Sequence, residues 1–517
     1  MAELLDKWAT TVPSQPALVD ERGTTSWHEL NERVNRLSNA LRGRGLPEGS
    51  TIALMCGNRR EAFEVTLAAM HSGLVVVPVN WHWAPDELAY VMQDAGASVL
   101  FVDDTRLEVA HAASGESTHD GELVVVGPRS NGAIQYEDLV SEGDPAAPAS
   151  QSSGGPMFYT SGTTGRPKGV RGGLSRTGLP ATGFELLAAG IVDTAGIPRQ
   201  GTTLLVGPMY HSAQWVFSVA PLVSGSTVVM RERFDPAETL ELIDAHRCTN
   251  VHLVPTQFVR LLRLQPEQKA AFDGSSLSVV LHGAAPCPPE VKRQMLDWWG
   301  PVITEYYGGT EGGVLTTITG DQWLQRPGSV GRPTSYADIL VYRDDGSEAG
   351  CGETGQIYFR SRVGADFRYH NADDKTAAAH RAPGVATLGD IGHLDADGFL
   401  YLSDRRIDMI ISGGVNIYPA EIESVLATHP AVLDAAVFGV PNEEMGEEVK
   451  AAVQLASDAV ASDDLAAELV AHVRAHLAGY KAPRTIDFVE RLPRDATGKL
   501  FKRELRDPFW ADIGRRI

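Results

Sequence analysis

Cysteine is scarce. The chain has four in 517 residues, Cys56, Cys248, Cys287 and Cys351, with no CxxC pair and no histidine cluster beside them. That spacing argues against a zinc ribbon, an iron–sulfur site and a disulfide scaffold. Basic residues are too few to balance the acidic ones: 45 Lys and Arg against 66 Asp and Glu leave a net charge of −21. A chain this acidic does not read as a general binder of nucleic acid or of an anionic membrane, so no nucleic-acid partner is expected. An anionic ligand must be held by a local group of residues rather than by the overall field. Long apolar runs are missing too. The longest apolar region, 204–230, is interrupted by Pro208, His211, Gln214, Pro221 and Gly225, so no transmembrane segment is expected. The first residues mix charges into apolar positions and lack the basic-then-apolar order of a signal peptide, which leads us to expect a cytoplasmic protein. Also absent are the GxxxxGK[ST] spacing of a Walker loop, the GxSxG and SxxK nucleophile motifs, and repeats at solenoid periods.

What is present is a β-α rhythm. Residues 202–206, 226–230, 251–254 and 277–281 are near-continuous apolar runs of the kind that buried strands show. Between the second and third lies DPAETLELIDAH, where Asp235 can cap, Pro236 suits the first turn and the apolar spacing is helical. From residue 50 to about 400 the pattern predicts layered, mostly parallel sheets flanked by helices. Two stretches read as irregular, a polar one at 112–122 and a Pro/Ser/Gly one at 145–155. Beyond residue 403 the pattern restarts: a helix over 419–428, strands over 435–440 and 449–455, a helix over 464–477 and a strand over 485–489. The fold class expected is therefore α/β, with a large N-terminal domain and a small C-terminal α+β domain.

The most informative segment is Tyr159-Thr160-Ser161-Gly162-Thr163-Thr164-Gly165-Arg166-Pro167-Lys168-Gly169. It offers small hydroxyls, glycines that let backbone N–H groups approach a ligand, and two cations, all suited to wrapping phosphates. A bare TSGTTG could be a surface turn, but the appended Arg-Pro-Lys-Gly is hard to explain that way. Further motifs come in order: Pro208-Met-Tyr-His211, His282-Gly283-Ala284-Ala285-Pro286, Tyr306-Tyr307-Gly308-Gly309-Thr310-Glu311, Leu388-Gly-Asp390, Asp404-Arg405-Arg-Ile407-Asp408, Ser412-Gly413-Gly414-Val-Asn-Ile-Tyr-Pro419 and Arg494-Asp-Ala-Thr-Gly-Lys499. This ordered set, spread over nearly the whole chain, resembles the adenylate-forming superfamily of acyl-CoA synthetases, peptide-synthetase adenylation domains and beetle luciferases, and most of all its bacterial fatty-acid-CoA ligases.

The resemblance implies a chemistry that the residues can serve. A carboxylate is a poor acyl donor and gains a leaving group by attacking the α-phosphate of ATP, giving acyl-AMP and pyrophosphate. The carboxylate is itself the nucleophile, so catalysis rests on positioning and on neutralising charge around phosphorus. By resemblance, Thr160, Ser161, Gly162, Thr163, Thr164 and Lys168 would cradle phosphates, and Glu311, with Thr160, would hold Mg²⁺, a hard cation suited to oxygen ligands. Thr310 would donate to the α-phosphate. Tyr307 and Gly308 would border adenine on one side and Gly283, Ala284 and Ala285 on the other, while Asp390 and Arg405 would contact the ribose hydroxyls. Lys499 is the leading catalytic residue, bringing a compact positive charge to the α-phosphate and the substrate carboxylate. Without these neighbours, a Thr-Glu pair or a lone C-terminal lysine would read as ordinary surface.

The resemblance also implies that the C-terminal domain is mobile. Residues 1–403 would form the adenylation domain, 404–408 a hinge and 409–517 the rotating domain, presenting Lys499 for the first half-reaction and Gly413 and Gly414, which leave room for pantetheine, for the second. Ile407 departs from the Asp or Lys often found at the hinge. His211 matches a residue near the substrate carboxylate. Trp215 could line the same wall or belong to the core; Gly309 and Gly312 to Val314 could border the acyl channel or make a tight turn. The Trp81-His82-Trp83 cluster is read as packing or surface. The expected partners are ATP, Mg²⁺, CoA and a hydrophobic carboxylic acid, either a medium- or long-chain fatty acid or a bulky ring acid, with a homodimer left open. Three alternatives stand beside this: loading of a carrier protein's phosphopantetheine arm, a luciferase-like oxygenation, and a non-catalytic nucleotide-binding regulator.

Overall fold

A computed structural model of the chain describes residues 2–116, 121–129, 133–149, 151–160, 166–178, 180–405, 408–413, 415–457, 459–495 and 498–511. Among them, two large sheets are stacked around a shared core. The first, six-stranded, runs through Thr51–Met55, Val75–Pro78, Ala97–Asp103 and Glu122–Val126, with short strands Ile134–Gln135 and Gly155–Pro156 at its two edges, all paired in parallel. Thr51–Met55 is buried along its whole length, as expected of a strand covered on both faces.

The second sheet has fifteen strands. Its parallel part takes in Thr227–Met230, Thr202–Leu205, Asn250–Leu253, Val279–His282 and Ile303–Gly309, so the four apolar runs read from the sequence are adjacent strands. The crossover helix Pro236–Ala245 starts where the sequence places it: the Asp235 carboxylate accepts from the backbone N–H of Ala237 and Glu238, both at 2.9 Å. From Gly313 to Arg405 the strands extend this sheet in antiparallel fashion, because tight turns such as that between Gly309 and Gly313 replace crossover helices. The first part of the stretch read as irregular, 112–116, is instead the end of the helix Leu107–Glu116, whose Ala110 and Ala113 anchor one face in the core; residues 117–120 lie outside the described residues.

The helix Ser212–Val223 does most to place the candidate site. It is buried over most of its surface, and Trp215 and Val219 share a core cluster with Ile52 and Val76 of the first sheet and Leu205 and Leu281 of the second. The helix is thus wedged between the sheets with His211 at its N-terminus. Residues 410–489 build a separate five-stranded sheet, with Val432–Asn442, Gly446–Leu455 and Thr485–Val489 as its main strands and the hairpin Ile410–Ser412/Val415–Ile417 at its edge. Helices Pro419–Leu426 and Asp463–His476 cover it through a small core of its own. None of the described helices is long and apolar enough to cross a membrane.

Candidate active site

The Tyr159 to Lys168 segment is a β-hairpin. Strands Phe158–Thr160 and Lys168–Arg171 pair antiparallel, with Thr160 opposite Lys168. Ser161, Gly162, Thr163 and Thr164, between them in sequence, lie outside the described residues. Its base is well anchored: the Tyr159 hydroxyl donates to Asp94 Oδ2 at 2.6 Å, and Arg166 lies over the Tyr90 ring. The Lys168 ammonium sits 4.9 Å from the centroid of the Tyr369 ring. Burial lowers its affinity for a proton, the nearby Lys375 adds to that, and Glu311 opposes it.

The strand Ile303–Gly309 delivers Tyr306-Tyr307-Gly308-Gly309 to the same region, followed by the turn with Thr310 and Glu311. Gly308 is required by packing, since a Cβ there would lie 1.9 Å from the Gly313 carbonyl oxygen. Thr310 and Ser212, first residue of the wedged helix, share a hydrogen bond of 2.9 Å between hydroxyls, joining the adenylate motif to the His211 segment. Glu311 Oε1 accepts from the Tyr369 hydroxyl at 3.0 Å. Gly309 lies beside Glu311 and Leu388, and Val314 packs partly against the main core.

Tyr307 and Asp390 come together directly: the Tyr307 hydroxyl donates to Asp390 Oδ2 at 2.7 Å, with both residues 8% exposed. Arg405 is the register partner of Asp390 across an antiparallel pair, which brings the two ribose candidates side by side; the Arg405 side chain is outside the described set. Gly283, Ala284 and Ala285 come directly after strand Val279–His282, which pairs in parallel with Ile303–Gly309, so the two segments expected to flank adenine leave neighbouring strands. Ala284 adopts a left-handed φ of 66° there.

Lys499 lies in a turn built by its own neighbours. The Asp495 carboxylate accepts from the Lys499 N–H at 3.0 Å, and Arg494 donates to the Gly498 carbonyl at 2.6 Å while its guanidinium grips Asp434 of the small sheet at 2.5 and 2.8 Å. This turn faces the N-terminal half of the chain. Gly498, at φ 80°, approaches Thr256 so closely that a Cβ would lie 2.5 Å from its hydroxyl. The charges of Asp495 and Lys499 are both felt at His211.

The His211 Nε2 atom is buried without a hydrogen-bond partner among the described residues. Burial holds its imidazole at about 4; the Lys499 charge pushes the same way and Asp495 opposes. The ring is therefore neutral at pH 7. Because the folded value lies below the ordinary 6.5, the stability that His211 contributes is complete above pH 6.5 and declines as pH falls toward 4. Lys499→Met should raise this value, with the His211 Cε1–H resonance as readout. Titration of the parent enzyme near 6.5 would contradict the buried neutral ring.

Trp215 is seated in the core, 1% exposed, edge-on to Phe158, and lines a small cavity with Tyr210, Met209, Cys56 and Thr66. Trp81 packs edge-on against Tyr210 at 4.6 Å and Trp83 is buried, while His82 between them is exposed. Gly413 donates its N–H to the Met445 carbonyl at 2.8 Å; Gly414 and Ile407 fall outside the described residues. Among those residues no cluster of three or more His, Cys, Asp or Glu could by itself hold a metal ion. Glu311, a single carboxylate held by the Tyr369 hydroxyl, suits a hard cation that brings further oxygen ligands of its own.

Sequence reasoning missed Ser212, Thr256, Tyr369 and the buried pair Lys292–Glu305. Only Ser212 carried a signal, as the first residue of a helix directly after a motif. The others act across the fold from segments without a recognisable pattern.

Comparison with known proteins agrees with this arrangement. The family model of the AMP-binding enzymes matches residues 5–365, and that of their C-terminal domain matches 421–499. A feruloyl-CoA synthase of Amycolatopsis sp is 34% identical over 94% of this chain and 94% of its own length. A medium/long-chain-fatty-acid–CoA ligase of Mycobacterium tuberculosis is 30% identical over 95% of this chain and 86% of its own. Among solved structures, the o-succinylbenzoate CoA synthetase of Bacillus subtilis, in complex with its acyl-adenylate intermediate, superposes with a TM-score of 0.81 at 28% identity, covering 98% of each chain. The chain belongs to the AMP-binding, adenylate-forming enzymes, the family of the AMP-forming acid–thiol ligases.

Proposed function

We propose that the protein activates a hydrophobic carboxylic acid, a medium- or long-chain fatty acid or a ring acid, in two steps. The acid carboxylate attacks the α-phosphorus of ATP, forming acyl-AMP and releasing pyrophosphate; the CoA sulfur then attacks the acyl carbon, forming the thioester and releasing AMP. The observation that carries this reading is the seating of the Lys499 turn on the N-terminal half, with Gly498 against Thr256 and the Lys499 charge acting at His211. On this reading Lys499 supplies one compact cation where the acid and the α-phosphate meet.

Each remaining residue has a task that its chemistry suits. Lys168 and the hairpin tip hold the β- and γ-phosphates, Thr310 donates to the α-phosphate, and neutral His211 borders the acid without competing for its charge. Tyr307 flanks adenine, and Asp390 with Arg405 takes the ribose. Glu311, with Thr160, would hold Mg²⁺, which when bound offsets phosphate charge. Gly413 and Gly414 would admit the pantetheine arm after the C-terminal domain, residues 409–517, turns about 404–408. The fatty-acid and feruloyl names of the relatives support a hydrophobic acid as substrate class.

The test is pyrophosphate release from ATP and Mg²⁺ with a panel of fatty and ring acids, with and without CoA, products being read by mass spectrometry. Acyl-CoA formed from one chain-length or ring class is the expected result. Accumulation of acyl-AMP in the presence of CoA would instead direct the second step to a carrier protein or another acceptor.

A further inference from the structure

Tyr369 lies in a two-residue strand, Arg368–Tyr369, that no motif marks. This strand is hydrogen-bonded to the second arm of the phosphate hairpin, with Val170 opposite Tyr369 and Arg171 opposite Arg368. The side chain then reaches two further groups. Its ring lies 4.9 Å from the Lys168 ammonium, and its hydroxyl donates to Glu311 Oε1 at 3.0 Å. One residue therefore touches the cation of the phosphate hairpin and the carboxylate suited to the metal, and its backbone is fixed to the hairpin itself. Its own placement is firm: the ring packs edge-on against Phe367, which is 4% exposed, and the Tyr369 N–H donates to Thr376 Oγ1 at 2.9 Å.

The physical consequence is specific. A carboxylate that ends a glycine-rich turn has several rotamers, and one charge-assisted hydrogen bond selects among them, leaving Oε2 for another ligand. A lysine on a flexible stem is likewise seated by an aromatic face before any phosphate arrives. Resting on the reading that this site takes MgATP, we infer that Tyr369 is a positioning residue that couples the phosphate hairpin to Glu311, so that the metal and the β- and γ-phosphates of ATP bind as one unit.

The experiment is isothermal titration of the full-length enzyme and of Tyr369→Phe and Tyr369→Leu with MgATP, with ATP in EDTA, and with AMP, alongside melting temperatures. Tyr369→Phe keeps the ring under Lys168 and loses only the hydroxyl; a hydrogen bond to a charged group predicts MgATP affinity lower by about tenfold or more. Its affinity for metal-free ATP and AMP, and its melting temperature, are expected to match the parent. Tyr369→Leu also removes the ring and should lose affinity for metal-free ATP as well, with AMP again unchanged. A Tyr369→Phe enzyme that binds MgATP like the parent overturns the inference. So does an equal loss for AMP, which marks a general structural effect. A parent enzyme that binds AMP but no MgATP would overturn the underlying reading of the site, a result distinct from either of these.

Discussion

Lys499→Ala is expected to lower acyl-AMP formation by about 10³-fold, the scale on which one preorganised group facing developing charge acts. Thioester formation from supplied acyl-AMP and CoA should stay largely unchanged, because by then the phosphorus chemistry is over. Placement sets this asymmetry: the turn is held by Asp495 and Arg494, Arg494 is tied to Asp434, and the Lys499 charge acts at His211. Gly498→Ala offers a check that leaves the lysine in place. It puts a methyl 2.5 Å from the Thr256 hydroxyl at a φ of 80°, so the turn cannot seat and the same half-reaction should suffer. Separate assays, pyrophosphate release for the first step and CoA consumption for the second, read the two effects. Equal loss in both half-reactions would count against a charge delivered only for adenylation.

The second large effect is on stability. Lys292, fully buried, places its ammonium 2.5 Å from Glu305 Oε2 and 4.9 Å from the Trp323 ring centroid, and the His282 ring lies 3.8 Å from the same carboxylate oxygen. Removing one partner of such a pair strands the other, so Lys292→Met should cost about 3–5 kcal/mol at neutral pH. Burial already pushes Glu305 above the usual carboxylate range, and the Lys292 ammonium pulls it back. Without the lysine the folded value rises further. The loss should therefore be greatest at neutral and alkaline pH and shrink as pH falls toward that raised value, where Glu305 becomes neutral. Denaturant midpoints of the variant and parent from pH 5 to 8 decide this; a small or pH-independent loss would contradict it. His282 and Glu305 are register partners on neighbouring strands, and both strands lead into the segments proposed to flank adenine. A rise in KM for ATP in the folded fraction should accompany the lost stability.

Much of this molecule is written locally. Asp235 and Pro236 mark a helix start because a cap needs only its own next few residues, and the observed helix Pro236–Ala245 begins there. Apolar runs such as 202–206 became buried strands because near-continuous apolar segments suit a sheet covered on both faces. In the last hundred residues, the strand read at 485–489 and the helix read at 464–477 were recovered almost to the residue, as Thr485–Val489 and Asp463–His476. At 112–116 the reading as irregular failed for a physical reason: small residues such as Ala110 and Ala113 bury one side of the helix Leu107–Glu116, and composition alone does not reveal that.

The sequence by itself therefore determined most of the element types and the ordered motifs, since each depends on neighbours within a few residues and on the side chains that the chemistry demands. Only the tertiary structure decided which of them meet. Thr310 finds Ser212 across 98 residues, Tyr307 finds Asp390 across 83, and Glu311 finds Tyr369 across 58. A contact at such separation leaves no periodic trace in the chain, because loop closure, sheet register and packing choose the partner after the local elements have formed.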